Sequence, residues 1–194
     1  MFYRPADGHR LPHNPFTAIV APRPIAWIST RGPAGDNLAP YSFFNAVAYS
    51  PPQIMFASTG IKDTIRAIRA TGVFAVNIVD AAMLRVMSET SQSLPPGTDE
   101  FVACNVAKAA CTQIDCPRIA TAPATLECRV VSEVMLAGRD NVMTIAEVVG
   151  VHLRDDCVVA GRFDVTTFHP AARLGYMDYT VVERVVTLAR PDER

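Results

Sequence analysis

Alternation of apolar and polar positions divides this chain into a strand-rich scaffold interrupted by a few short helices. The clearest strand runs from Leu126 to Leu136. Its even positions are Leu126, Cys128, Val130, Ser132, Val134 and Leu136, while Glu127, Arg129 and Glu133 fall on the other face, the period of a half-buried strand. A turn at Gly138-Arg139-Asp140-Asn141 leads back into Val142 to Leu153, with Met143, Ile145, Val149, Val151 and Leu153 on one side, so a long antiparallel hairpin is predicted. Upstream, Ile19, Val20, Ile25, Trp27 and Ile28 predict a first strand between Thr17 and Thr30, entered through Pro22-Arg23-Pro24. Strands around Ser42 to Ala48 and Gln53 to Ser58 are joined by the Ser50-Pro51-Pro52 corner, and both Arg31 to Asn37 and Asn37 to Ser42 read as turns. A helix follows from Lys62 to Ala70, with Ile65 and Ile68 on one stripe, Arg66 and Arg69 off it, and Gly72 where it stops.

The remaining segments are a strand at Val73 to Val79, a short helix at Ala81 to Ser88, and a long connection from Glu89 to Pro123 with one helix starting at Thr98. A final strand covers Thr180 to Leu188. Short strands in succession with few, short helices predict a mostly β fold, an antiparallel barrel rather than a doubly wound sheet. No G-x-G-x-x-G follows a strand, which argues against a Rossmann nucleotide site.

Composition narrows the function classes. The 194 residues suit one domain with a substantial core: an N-terminal arm over 1–14 that packs on something or stays loose, and a single domain over 15–190. A net charge of −1 argues against a nucleic-acid surface. The apolar stretch from Thr17 to Trp27 is broken by Pro22, Arg23 and Pro24, and the first residues lack the apolar run of a secretory signal, so a cytoplasmic protein with no membrane partner is expected. Five cysteines without a C-x-x-C pair support neither a disulfide framework nor a zinc site. Cys104, Cys111 and Cys116 read as reduced thiols, with metal binding or redox sensing as the alternative. No metal ligand set is expected from His9, His13, His152 and His169, which lack H-x-H or H-E-x-x-H spacing. There is no G-x-S-x-G elbow, and Glu127, Glu133 and Glu147 are accounted for as strand-face residues.

The most informative chemistry lies between Asn37 and Thr64. A small-residue bend precedes an apolar strand, and a second turn delivers Lys62, Asp63 and Thr64 to a helix start, where unpaired N–H groups and the helix dipole favour an anion. Lys62 is one of only two lysines among eighteen basic residues. The alternative is a capped surface helix with a solvated Lys62. His152, by alternation, shares a face with Thr144, Ala146, Val148 and Gly150, where a flat ligand could approach or where the imidazole is simply hydrogen-bonded on a partly solvated sheet.

The strings PRPIAWIST (Pro22 to Thr30), NLAPYSFFNAVAYSPPQIMFA (Asn37 to Ala57), KDT (Lys62 to Thr64), TGVFAVNIV (Thr71 to Val79), GTDEF (Gly97 to Phe101), EVVGVHLRDD (Glu147 to Asp156) and ARLGYMDY (Ala172 to Tyr179) together resemble the flavin reductase-like, FMN-binding split-barrel family. The resemblance implies an antiparallel split β-barrel and an FMN cofactor. The phosphate would sit at Lys62 and Thr64 with Ser58 and Thr59 nearby, and the ring edge along Ala39, Pro40, Tyr41 and Ser42, with Asn37 and Asp63 as further cofactor-binding residues. Arg23 or Arg173 would stabilise negative charge on the reduced ring. It further implies an NAD(P)H:flavin oxidoreductase that passes hydride from NADH or NADPH to N5 of FMN, with His152 near the flavin or the nicotinamide as the candidate catalytic residue, and a homodimer, with a monooxygenase as a further partner. An FMN-holding electron carrier and a barrel binding another ligand without redox chemistry are the competing functions.

Overall fold

The computed structural model describes residues 1–190. Its centre is a seven-stranded sheet. In chain order the strands are β1 (Ala26–Gly32), β2 (Gly35–Tyr41), β3 (Phe44–Tyr49), β4 (Pro52–Thr59), β5 (Val73–Ile78), β6 (Ala124–Met135) and β7 (Asn141–Leu153). They lie side by side as β2-β1-β5-β6-β7-β4-β3, each neighbouring pair antiparallel. The sheet curls on itself. Tyr41 on β2 and Phe56 on β4, distant in strand order, have ring centroids 5.0 Å apart, and Phe56 meets Phe74 of β5 at 5.3 Å. The result is the mostly β, antiparallel split barrel expected from the chain.

After a single helical turn at Phe16–Ile19, three further short helices decorate the barrel: α1 (Asp63–Thr71), α2 (Leu84–Glu89) and α3 (Glu100–Ala103). Helix α1 seals one end because its apolar stripe, Ile65 and Ile68, is buried against Ile28, Phe56 and Phe74. It ends where the glycine signal placed it. Gly72 adopts φ 72°, a left-handed conformation that suits glycine, and its N–H donates to the Ile68 carbonyl. A second apolar cluster outside the barrel gathers Trp27, Leu38, Met87, Phe101 and Ile119, and so holds α2 and α3 against the outer face of β1 and β2. Strand β1 is buried on both sides from Ala26 to Thr30, which explains the apolar run Ala26-Trp27-Ile28, and the buried Ser29 hydroxyl that follows donates to the Pro117 carbonyl at 2.6 Å.

Several expectations are corrected. Asn37 to Ser42 is not a turn: Asn37 to Tyr41 belong to β2, paired with β1 from Gly35 to Tyr41. Pro40 is tolerated there because β2 is an edge strand, where a missing N–H breaks no second ladder. The first strand begins only at Ala26. Phe16–Ile19 forms a helical turn, and Arg23–Pro24 pairs with Ala171–Arg173 in a separate three-stranded sheet completed by Tyr179–Val181. That last segment is all that forms of the strand expected from Thr180 to Leu188. On β7 the small-residue side faces the core: Val142, Thr144 and Ala146 are buried, and the apolar side carries exposed Val151 and Leu153. Glu127, assigned by alternation to a solvated face, is 0% exposed.

Candidate functional site

The end of β2 and the first turn of α1 converge on a trough of about 400 Å³ lined by Asn37, Ala39, Pro40, Tyr41, Lys62, Asp63 and Thr64. A second lobe of about 370 Å³ continues past them and is lined by Arg23, Ser42, Phe43, Arg173 and Tyr179. Pro40, Tyr41 and Ser91 line both lobes. Ten of the twelve cofactor-binding residues expected from sequence therefore border one continuous trough. Ser58 and Thr59 do not: Ser58 is buried at the end of β4, its hydroxyl donating to the Gly60 carbonyl at 2.9 Å, and Thr59 is exposed outside the lining.

Each lobe has its own electrostatics. Lys62 occupies the N-cap of α1 in an extended conformation without a side-chain cap bond, so its ammonium is free to swing over the helix N-terminus. Asp63 is neutralised by Arg66 at 2.7 Å. Thr64 is held beneath the surface, 1% exposed, with its hydroxyl oxygen accepting from Asn37 Nδ2 at 2.9 Å. Burial pushes the Tyr41 phenol above its ordinary value, while hydrogen bonds with Thr64 and Ser58 pull the other way.

At the far lobe Arg23 is 7% exposed. Its guanidinium donates to the carbonyls of Thr17 and Val20 and, at 2.7 Å, to that of Leu174, while its Nε has no partner. Burial, and then the like charge of Arg173, lower its pKa. Arg173 stacks 4.3 Å over the Tyr179 ring.

Sequence inspection missed residues that only the fold brings here. Arg66 and the segment Thr90 to Leu94 line the first lobe, and Tyr176 and Tyr179 the second. Glu100 also lines the first lobe; its Oε2 accepts from Leu38 N–H at 2.9 Å, and burial raises its pKa. The GTDEF string contained Glu100, but nothing local said that α3 would fold against β2. Ser91 left no signal at all.

His152 stands apart from both lobes. Its Nε2 donates to Glu127 Oε1 at 2.5 Å, and the same buried carboxylate accepts from Thr112 N–H at 2.7 Å and Gln113 N–H at 2.6 Å. Burial alone would raise the Glu127 pKa. The backbone N–H of Thr112 and the His152 ring outweigh it and hold the carboxyl below its ordinary value. The pair thus pins the connection carrying Cys111 and Cys116 onto the sheet. All five cysteines are free thiols, and no cluster of His, Cys, Asp and Glu suited to a metal occurs among the described residues. No helix among them is long and apolar enough to cross a membrane.

Comparison with known proteins agrees with this architecture. A model of the flavin reductase like domain matches residues 20–169, and the chain belongs to that family. An uncharacterised protein of Deinococcus radiodurans is 41% identical over 153 residues, 74% of this chain and 66% of that protein, so slightly under two thirds of the relative's length is spanned. Among solved structures, the 2-nitrobenzoate 2-nitroreductase of Pseudomonas fluorescens is 30% identical with a TM-score of 0.83, covering 91% of this chain and 88% of that one. Component B of nitrilotriacetate monooxygenase from Bacillus cereus is 27% identical with a TM-score of 0.85, covering 93% and 100% respectively.

Proposed function

We propose that the trough holds FMN and that the chain is an NAD(P)H-dependent flavin reductase supplying electrons to a second acceptor. The carrying observation is the trough's shape and charge: an exposed lysine at a helix N-terminus at one end, two arginines at the other, and the flat surfaces of Pro40 and Tyr41 between them. These features suit a planar ring with an anionic tail. Lys62 and the N–H groups opening α1 would take the phosphate, with the dipole adding about 0.3–2 kcal/mol. Asn37, Ala39, Pro40, Tyr41 and Ser42 would border the ring. Bound FMN supplies the hydride-accepting and electron-donating chemistry.

The chain's own contribution is to orient and insulate. Thr64 and Asn37 form a buried hydrogen-bonded pair under the trough, which holds this part of the wall in place when a ligand arrives. Arg23, tied down by three carbonyls, provides fixed positive potential at the second lobe. Purified protein should be yellow and release FMN on denaturation; anaerobic mixing with NADH or NADPH should bleach it rapidly.

An electron-carrier reading is favoured by one observation: His152, the residue expected near the flavin or the nicotinamide, lines neither lobe and is spent on Glu127. Yellow protein that neither NADH nor NADPH bleaches would decide for the carrier.

We also propose a homodimer. The outer faces of β3, β6 and β7 expose Val47, Tyr49, Val131, Met135, Val151 and Leu153, each at least 45% accessible, an apolar surface that a second copy would cover. Sedimentation giving a monomer that still holds FMN would exclude this, and the dimer is also the natural platform for a monooxygenase partner.

A further inference from the structure

The small hairpin formed by Lys108–Ala110 and Pro117–Ile119 ends in a tight loop with Cys111 at one side and Cys116 at the other. Its register decides how the two meet. Ala110 is paired with Pro117, so the next position outward sets Cys111 directly opposite Cys116, and the Cys111 N–H donates to the Cys116 carbonyl at 3.2 Å. Opposed residues of an antiparallel pair place their side chains on one face, with Cα atoms about 4.5–5.5 Å apart. That separation lies within the span of about 4.4–6.8 Å that a disulfide bridges. Packing agrees with the register, since both cysteines belong to one apolar cluster with Ala75 and Ile114.

The loop between them is held in place by its surroundings. The Glu127 carboxylate accepts from the N–H groups of Thr112 and Gln113, Ile114 is buried against Ala75, and the Cys116 N–H donates to the Ile114 carbonyl at 3.1 Å. Folding has thus already brought the thiols together, and joining them loses little further chain entropy. The two sulfurs are not equivalent. Cys116 is 2% exposed, whereas Cys111 is only half-buried and open to a small reagent. A hydrogen bond between the thiols outweighs burial and the Glu127 charge and lowers the Cys111 pKa, with Arg118 and Arg31 acting in the same direction. The same bond, together with burial, drives the Cys116 pKa far up. Cys111 is therefore the sulfur that ionises, and Cys116 the one that keeps its proton.

We propose that Cys111 and Cys116 are a peroxide-reactive thiol pair that closes to a reversible disulfide. The Cys111 thiolate attacks one oxygen of hydrogen peroxide, the O–O bond breaks, and Cys111 becomes a sulfenic acid while hydroxide leaves and takes a proton from solvent. The Cys116 thiol then attacks the Cys111 sulfur. The S–S bond forms, the S–O bond breaks, and the hydroxyl departs as water with the Cys116 proton. The peroxide takes up the electron pair that the two thiols give up, and an external dithiol returns it by exchange. Neither cysteine lines the trough, so this chemistry stands apart from whatever the trough holds.

The test treats the reduced, full-length protein with a slight excess of hydrogen peroxide, alkylates it after denaturation and maps it by mass spectrometry. A Cys111–Cys116 linkage is expected, with the chain lighter by about 2 Da and the thiols recovered with dithiothreitol. Cys116→Ser keeps a donor for the Ser29 carbonyl, which lies 3.1 Å from Cys116 Sγ, and should instead accumulate the Cys111 sulfenic acid, captured by dimedone. Cys111→Ser should leave Cys116 a free thiol. Full alkylation of both cysteines in peroxide-treated parent, linkage of Cys111 to any cysteine other than Cys116, or dimedone capture in the parent equal to that in Cys116→Ser overturns the proposal.

Discussion

Replacing Lys62 and Thr64 separately distinguishes a ligand contact from a scaffold contact, although the two residues are neighbours in one short motif. Lys62 is exposed and makes no cap bond, so Lys62→Ala removes the proposed charge-assisted contact to the phosphate and nothing that the fold needs. Such a contact is worth about 1.5–3 kcal/mol, and solvent exposure places it at the low end, a weakening of FMN of roughly tenfold. Thr64 is buried and accepts from Asn37 Nδ2, so Thr64→Ala leaves a buried amide donor without a partner, at about 1–3 kcal/mol of folding stability. For a chain of this size each kcal/mol lowers Tm by about 2–4 °C. Flavin fluorescence titration at fixed salt and thermal melting of the flavin-free protein read the two effects apart. Lys62→Ala should shift Kd at constant Tm, and its affinity should depend less on salt than the parent's. Thr64→Ala should lower Tm. A Lys62→Ala protein binding FMN as the parent does would refute the phosphate assignment, and an unchanged Tm in Thr64→Ala would refute the scaffold argument.

Glu127→Ala strips acceptors from two backbone N–H groups and from His152, and should cost about 3–5 kcal/mol, whereas His152→Ala should cost less because both N–H groups keep their carboxylate; urea unfolding compares them. The pH dependence has two opposed parts. The lowered pKa of Glu127 gives stability that is present above the unfolded-chain value of about 4.3 and lost as pH falls through the lower folded value. The raised pKa of Glu100 gives stability that is complete below about 4.3 and lost as pH rises through the higher folded value. Glu100→Gln, which keeps an acceptor for Leu38 N–H, should therefore abolish the second loss and leave the acid-side loss in place in urea melts across pH. Phe56→Ala removes a ring that is 0% exposed and packed between Tyr41 and Phe74, and should cost about 3–5 kcal/mol by the same melts, with the trough wall at Tyr41 loosened and FMN binding weakened.

Much of the architecture was legible where one period dominated. The β6–β7 hairpin, β4, β5 and α1 with its Gly72 stop follow from alternation, helical stripe and capping chemistry, which are local. Strand β2 was missed because Gly35, Asn37 and Pro40 carry turn signals, and only pairing along β1 overrides them. The fate of the arm before Ala26 depended on Arg23 meeting the carbonyls of Thr17, Val20 and Leu174, a partner more than a hundred residues away. Alternation marked Glu127 as polar-face, but no pattern within β6 reveals that the Thr112–Gln113 backbone folds over it and provides the donors that make burial tolerable.

For the candidate site, the chain by itself determined the local chemistry: a lysine at a helix start and, earlier in the chain, a run of small and flat residues from Ala39 to Ser42. Those features are short-range, since capping and dipole effects act within one turn. The tertiary structure decided how far that site extends. It set Glu100, Ser91 and Arg66 around the first lobe, joined Arg23 to Arg173 across a small sheet at the second, and withdrew His152 to a buried carboxylate. These are contacts between distant segments, fixed by which apolar faces had to be buried together, and no local pattern carries that information.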